Sequence, residues 1–366
     1  MCSSDLALYV LLGWVVNTFA TVPLTEPPWN PSSGLGLACL LTLGLSWTPV
    51  LYLGILISEL TVSLAQPSLA QAILESALST AGYVALAGLL RSGPLAIDIR
   101  LTRTRDMVIF SLTTGSVTLL MALFYAMLRS DLNVMLTFGD ARHLVRFWIG
   151  ELVGILVFAP LLLLFWAGRL RFSLRSQDAF LHGFGIFLTV LFAFWVVYGN
   201  VPAEQITSLY LMFLPLIWAA LRFGLPGSLL TLVILQSGII LLSHLGSQSD
   251  ATVMQFQIRL LAIAITGLFL GVAVDELHQT EQQLRERQSE LDRTLRLAAS
   301  AELATAMAHE LNQPLSAIGI YARSCEMMIK SQPFPELNDT IVKMGAEVKR
   351  AGNVVHKLRE IGRAHV

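Results

Sequence analysis

The stretch RFWIGELVGILVFAPLLLL, Arg146 to Leu164, sets the reading of the whole chain. After Arg146 a single ionisable side chain, Glu151, interrupts a run close to the ~20 apolar residues that a helix needs to cross a hydrocarbon core. Working outward, similar runs lie near Ala7–Val22, Leu35–Leu60, Leu69–Leu90, Val108–Leu128, Leu144–Trp166, Phe180–Tyr198, Ile206–Leu221, Leu225–Ser243 and Gln257–Val274. The second run contains Pro49 and could be two short segments. Eight to ten spans are therefore expected over 7–274. Composition agrees: 55% of the 366 residues are hydrophobic and 13% charged, against roughly 25% charged in soluble domains. The prediction is an all-α protein, a polytopic transmembrane helix bundle in a lipid bilayer.

About half of the charged residues fall between Asp275 and Val366, about a quarter of the length, which marks the boundary between membrane and soluble parts. No basic cluster with interleaved aromatics occurs, so nucleic acid is not an expected partner. Cys2, Cys39 and Cys325 lack metal-ligand or disulfide-framework spacing. Cys39 and Cys325 read as packing residues, and no metal site is expected.

Loop charge orients the chain. Arg91, Arg100, Arg103 and Arg105 lie between two spans, and Arg169, Arg171 and Arg175 between two others, whereas Asn200–Gln205 and Leu245–Thr252 carry no Lys or Arg. By the positive-inside tendency the basic loops are cytoplasmic, and counting crossings from them puts Asp275 and the C-terminal tail in the cytoplasm. Met1 to Leu90 has no Lys or Arg and leaves its own side undetermined. Polar residues at membrane depth are costly and default to functional candidates. Here these are Glu59, Glu75, Glu151 and Arg222, the last reading as a topology anchor at a span end.

The tail opens with DELHQTEQQLRERQSELDRTLRL, in which Leu277, Leu284 and Leu291 recur every seven residues and Ala298 keeps the register. This predicts a parallel coiled-coil linker over 275–298. A dimerising helical hairpin follows over 299–359. Its first helix carries Ala304, Ala308, Leu311, Leu315, Ile318, Ala322, Cys325 and Ile329 at alternating intervals of four and three. The second carries Ile341, Met344, Val348, Ala351, Val355 and Leu358, and SQPFPELND makes the turn. Two such hairpins would close a four-helix bundle in a homodimer. His309 falls about 140° from the centre of the first stripe at 100° per residue, on the exposed side with Gln313. Pro314, one turn on, should bend the helix.

WNPSSGLGLACLLTLGLSWTPVLYLGILI (Trp29 to Ile57), RFWIGELVGILVFAPLLLL and LPLIWAALRFGLPGSLLTL (Leu214 to Leu232) resemble an integral membrane sensor domain that bacteria fuse to histidine kinases and to diguanylate cyclases. The chain departs from that pattern at Glu151, where related sequences carry Asp. No GGDEF-type loop for a cyclase occurs. HELNQPL, His309 to Leu315, resembles the phosphoacceptor box of sensor histidine kinases. That resemblance implies that His309 is phosphorylated on an imidazole nitrogen, that Glu310 orients the ring and accepts its proton, and that Asn312 stands beside the reacting phosphate. A neutral imidazole is nucleophilic, and a neighbouring carboxylate can hold its tautomer. The position four after the histidine, where Thr or Asn serves a reverse phosphatase activity, holds Gln313.

No DxGxG-type nucleotide loop follows the hairpin, so this chain has no cofactor of its own and is not expected to phosphorylate itself. ATP and Mg²⁺ are expected on a kinase ATP-binding domain of a longer protein, and the phosphoryl group is expected to pass to an aspartate of a response-regulator receiver domain. The terminal strings MCSSDL and IGRAHV back-translate into one sequencing-adapter string in opposite orientations, so 1–6 and 361–366 are expected to be extraneous. The implied location is the bacterial inner membrane. The reading from another class is a membrane transporter or small-molecule binding protein with a helical oligomerisation tail.

Overall fold

The computed structural model describes residues 9, 11–14, 29–61, 68–99, 101–129, 138–170, 177–198, 209–244, 250–331 and 335–364. Among these every regular element is a helix. In order they are α1 (Pro31–Leu43), α2 (Thr48–Thr61), α3 (Leu69–Arg91), α4 (Thr104–Arg129), α5 (Phe138–Trp166), α6 (Gln177–Tyr198), α7 (Phe213–His244), α8 (Asp250–Ser331) and α9 (Pro335–Ala364), with short 3-10 turns at Leu45–Trp47, Gly93–Leu95 and Leu209–Met212. The chain divides into two compact units, 1–279 and 280–366. Among the described residues six helices are long and apolar enough to cross a membrane, α3 to α7 and α8 through its apolar N-terminal part, while α1 and α2 are shorter apolar helices. The protein is integral to the membrane.

Two of the apolar runs are organised differently from their hydropathy. Leu35–Leu60 is divided at Gly44, whose φ of 93° ends α1 and whose N–H returns to Leu40 O at 3.2 Å. Ile206–Leu221 and Leu225–Ser243 fall largely within one element, α7, with a break in helical geometry at Gly224 (φ 61°, ψ −148°) just before Pro226. Proline lacks the amide that would tie this turn to the preceding one. The run Ala7–Val22 lies mostly outside the described residues. In contrast to α7, α8 is helical through Pro314.

Helix α5 is the centre of the first unit. Its most apolar stretch is 72% buried, against 17% for α6. Leu152, Val153, Ile155, Leu156, Val157 and Ala159 join Leu35, Leu37 and Leu40 of α1 in one core. The two helices approach through glycines. A Cβ on Gly34 would stand 2.6 Å from Phe158 Cβ and 2.7 Å from Gly154 O, and one on Gly154 would collide with the Asn30 carbonyl. Small residues let backbones meet where lipid supplies no hydrophobic drive of its own. On α6, Phe180, Phe184, Phe187, Phe192 and Trp195 point away from the protein, a surface suited to acyl chains.

In the second unit, Leu311, Pro314, Ile318, Tyr321 and Cys325 of α8 and Thr340, Met344 and Ala351 of α9 are at least half-buried. Leu315, Ile320, Met327, Ile341, Val342 and Val348 remain exposed. The single hairpin thus covers only part of each apolar stripe. Leu277, Leu284 and Leu291 are exposed as well, at 57%, 54% and 60%.

Candidate functional site

Three places concentrate polar chemistry. The first is the turn of α8 that carries His309. The ring is solvent-exposed, as are Glu310 and Asn312, because all three lie off the face that α8 buries within its hairpin. Gln313 Nε2 stands 3.5 Å from His309 Nε2, one turn along the same side. Among the described residues it is the polar side chain that meets the imidazole; Glu310 is adjacent in sequence but projects about 100° round the helix. An exposed imidazole on a helix can be approached by a partner domain without displacing the buried face of the hairpin.

The second place lies inside the membrane unit. Asn30 Nδ2 donates to Glu151 Oε1 at 2.6 Å, and the Tyr83 hydroxyl donates to Glu151 Oε2 at 2.7 Å. Tyr83 and Ser33 hydroxyls are 2.8 Å apart. A phenol has one proton, so with that proton on Glu151 it is Ser33 that donates to the Tyr83 oxygen. Ser32 Oγ donates in turn to Asn30 Oδ1. The carboxyl is 4% exposed, Tyr83 2% and Ser33 0%. The string WNPSS thereby explains itself locally. Trp29 packs edge-on against Phe158 at 5.1 Å, Asn30 N–H reaches Gly150 O at 3.0 Å, Pro31 occupies the first turn of α1 where its missing N–H costs nothing, and the two serines feed the carboxyl network. Sequence reading selected Glu151 but missed Asn30, Ser33 and Tyr83. The local signal was the polar NPSS run at the start of an apolar helix; nothing local marks Tyr83.

The other polar candidates separate. Glu75 is buried and receives the Tyr125 hydroxyl at 3.2 Å. Glu59 is half-buried on α2, and Arg222 is exposed near the break in α7. Cys39 is fully buried, in keeping with a packing role.

The third place is where α8 leaves its apolar stretch, directly after Val274. Glu276 Oε2 accepts the Thr104 backbone N–H at 2.9 Å and the Thr104 hydroxyl at 2.5 Å. Asp275 pairs with Arg169 at 3.6 Å and accepts the Leu225 backbone N–H. Arg169 is set by the end of α5: Gly168, at φ 68°, takes the left-handed position of a Schellman cap, with Gly168 N–H on Phe165 O and Arg169 N–H on Leu164 O. Burial pushes the Asp275 carboxyl above the usual range, against the pull of Arg169 and the Leu225 amide. The Thr104 hydroxyl and then the Thr104 amide hold Glu276 below it.

Among the described residues no group of three or more His, Cys, Asp and Glu is placed to hold a metal ion.

Comparison with known proteins divides the chain in the same way. Residues 6–278 match the MASE1 family, and residues 299–365 match the His Kinase A (phospho-acceptor) domain. The chain is 38% identical over 97 residues to the sensor protein FixL of Bradyrhizobium diazoefficiens, covering 25% of this chain and 19% of that protein. It is 36% identical over 97 residues to the C4-dicarboxylate transport sensor protein DctS of Rhodobacter capsulatus, 25% of this chain and 15% of the relative. With the phosphoglycerate transport system sensor protein PgtB of Salmonella typhimurium it shares 31% over 90 residues, 25% of this chain and 14% of the relative. The chain thus spans less than a fifth of the length of these curated relatives. No solved structure matches.

Proposed function

Because this chain belongs to the MASE1 family and carries a phospho-acceptor domain, we propose that it is the sensing and phosphate-accepting part of a membrane histidine kinase of a two-component system. The observation that carries this is His309, exposed on a helix inside the matched phospho-acceptor domain. In the proposed reaction an imidazole nitrogen of His309 attacks the γ-phosphorus of ATP. An N–P bond forms, the bond from the γ-phosphorus to the bridging oxygen breaks, and ADP leaves. Glu310 takes up the ring proton and Asn312 faces the reacting phosphate. The phosphoryl group then moves to an aspartate of a receiver domain. ATP and Mg²⁺ would come with a separate ATP-binding domain, since neutralising phosphate charge needs groups that this helix turn does not offer.

The basic linkers support a cytoplasmic tail in an inner membrane. Arg169 and the Arg103–Thr104 linker both stand at the point where α8 leaves its apolar stretch, the side on which basic residues concentrate. The exposed leucines of the linker and the uncovered parts of the hairpin stripes support a homodimer.

The test mixes the full chain in nanodiscs with a separately produced ATP-binding domain and labelled ATP. Acid-labile label on the wild type that disappears in His309→Ala is the expected result. Label of equal strength in the variant would refute the assignment. Substrate uptake into vesicles by 1–274, with no label on His309, would favour the transporter reading instead.

A further inference from the structure

The two consecutive acids at the end of the last membrane helix are each engaged at the start of another helical segment. Helix α4 begins at Thr104, so its N–H is one of the amides that a helix cannot satisfy internally, and Glu276 of α8 satisfies it from outside. Leu225 is the first residue after the break in α7, and its N–H is satisfied by Asp275. Asp275 also holds Arg169, the residue directly after the Gly168 cap of α5. One turn of α8 therefore touches the ends of three other elements.

The backbone of α7 is shaped for this. Gly224 takes a conformation reserved for glycine, and a Cβ there would fall on the Asp275 carboxylate. The close approach is thus a property of the fold and not of one flexible side chain. The bonds differ in kind from those deeper in the unit. The Arg169 and Asp275 side chains are 28% and 16% exposed, and partly hydrated ion pairs of this sort are weak enough to open reversibly. The glycine-mediated contact of α1 with α5 offers no such freedom. The basic side chains facing the two acids are Arg169, Arg103 and His278.

We propose that Asp275 and Glu276 form a two-point latch that holds the exit of the last membrane helix against the N-terminal ends of α4 and of the second half of α7, and that the sensor signals by opening it. This rests on the kinase reading for its output but not for its structure. It makes the membrane unit bistable at a defined point, as a switch requires.

The latch is tested on the full chain in nanodiscs by hydrogen exchange, comparing wild type with Asp275→Ala, Glu276→Ala and the double variant. Exchange of the Leu225 amide should rise at least tenfold in the first variant and that of Thr104 in the second, with protection over 150–157 unchanged. In the double variant, exchange over 277–300 should change at least threefold, as should the rate of His309 labelling by the added ATP-binding domain. If an alanine variant also loses protection over 150–157, Asp275→Leu and Glu276→Met, which keep side-chain bulk but carry no acceptor oxygen, replace it and must show the same order of effects. Unchanged protection at Thr104 and Leu225 would overturn the latch. So would lost protection there with unaltered exchange over 277–300. Absence of label on every version, wild type included, would instead overturn the phosphoacceptor reading, and exchange over 277–300 would then decide the latch alone.

Discussion

Glu151 shows how a buried acid can serve as a junction. Its two oxygens are taken by Asn30 from the segment preceding α1 and by Tyr83 from α3, while the residue itself stands on α5. Bonds of this kind between membrane helices contribute about 0.6 kcal/mol on average and about 1.7 at most. Tyr83→Phe and Asn30→Ala should each destabilise the membrane unit by about that amount, read as a lower midpoint in detergent-driven unfolding; midpoints identical to wild type would refute the junction. Sequence reading found Glu151 because a lone acid in an apolar run is conspicuous. It missed Tyr83 because a tyrosine at 68 residues' distance has no local mark. The exit acids carry opposite pH signs. Glu276 is held below the ordinary glutamate value of about 4.3, so its contribution is complete above that value and is lost as pH falls through the lowered one. Asp275 is held above its ordinary value, so its charge costs stability as pH rises and is given up first on acidification. Thr104 should therefore lose amide protection on acidification through the lowered Glu276 value while Leu225 keeps its protection, after correction for intrinsic exchange.

At the scale of elements, close approach decides what can be changed. Gly154→Ala places a Cβ onto the Asn30 carbonyl, and since both groups belong to backbone, relief requires α1 and α5 to separate. Loss of most folded, monodisperse protein is expected, measured by size exclusion after extraction. Gly224→Ala meets both an unfavourable backbone region, about 1–3 kcal/mol, and the Asp275 carboxylate. It should lower stability by that order and raise exchange at Leu225. Hydropathy located the apolar stretches well, because burial in lipid leaves a mark on each residue. It left a gap between Leu221 and Leu225 that contains the break at Gly224, but it placed the division of Leu35–Leu60 at Pro49 where the structure has it at Gly44. The division at Gly44 comes from a single dihedral angle, which an averaged apolar run conceals. Pro314, where the sequence predicts a bend, lies within the continuous helix α8.

For the whole molecule, the linker and the hairpin leave apolar surface that one chain does not cover. Leu284→Cys should cross-link to a second copy in membranes under mild oxidation, with Glu286→Cys, on the outer face of the helix, reacting far more slowly. Equal yields at the two positions would remove the coiled-coil reading. Single-residue insertions within Gln282–Arg293 of the complete kinase should lock its output high or low, because each rotates the following helix by about 100°. Alkaline phosphatase fused after Val274 should be inactive in a bacterial host if the tail is cytoplasmic, and active if it is not.

By itself the sequence determined the helical class and the membrane unit, and it singled out His309 as the proposed phosphate acceptor. These rest on local quantities: hydropathy over a span, spacing along a helix, and a histidine set off its apolar stripe in HELNQPL. Only the tertiary structure decided which helix is central, that Asn30, Ser33 and Tyr83 gather at Glu151, and that Asp275 and Glu276 occupy the starts of other helices. Those contacts join residues from 50 to 172 positions apart. Their partners are chosen by how glycines let backbones approach and by which helix ends are left with unsatisfied amides, and neither is written in the residues of any one segment.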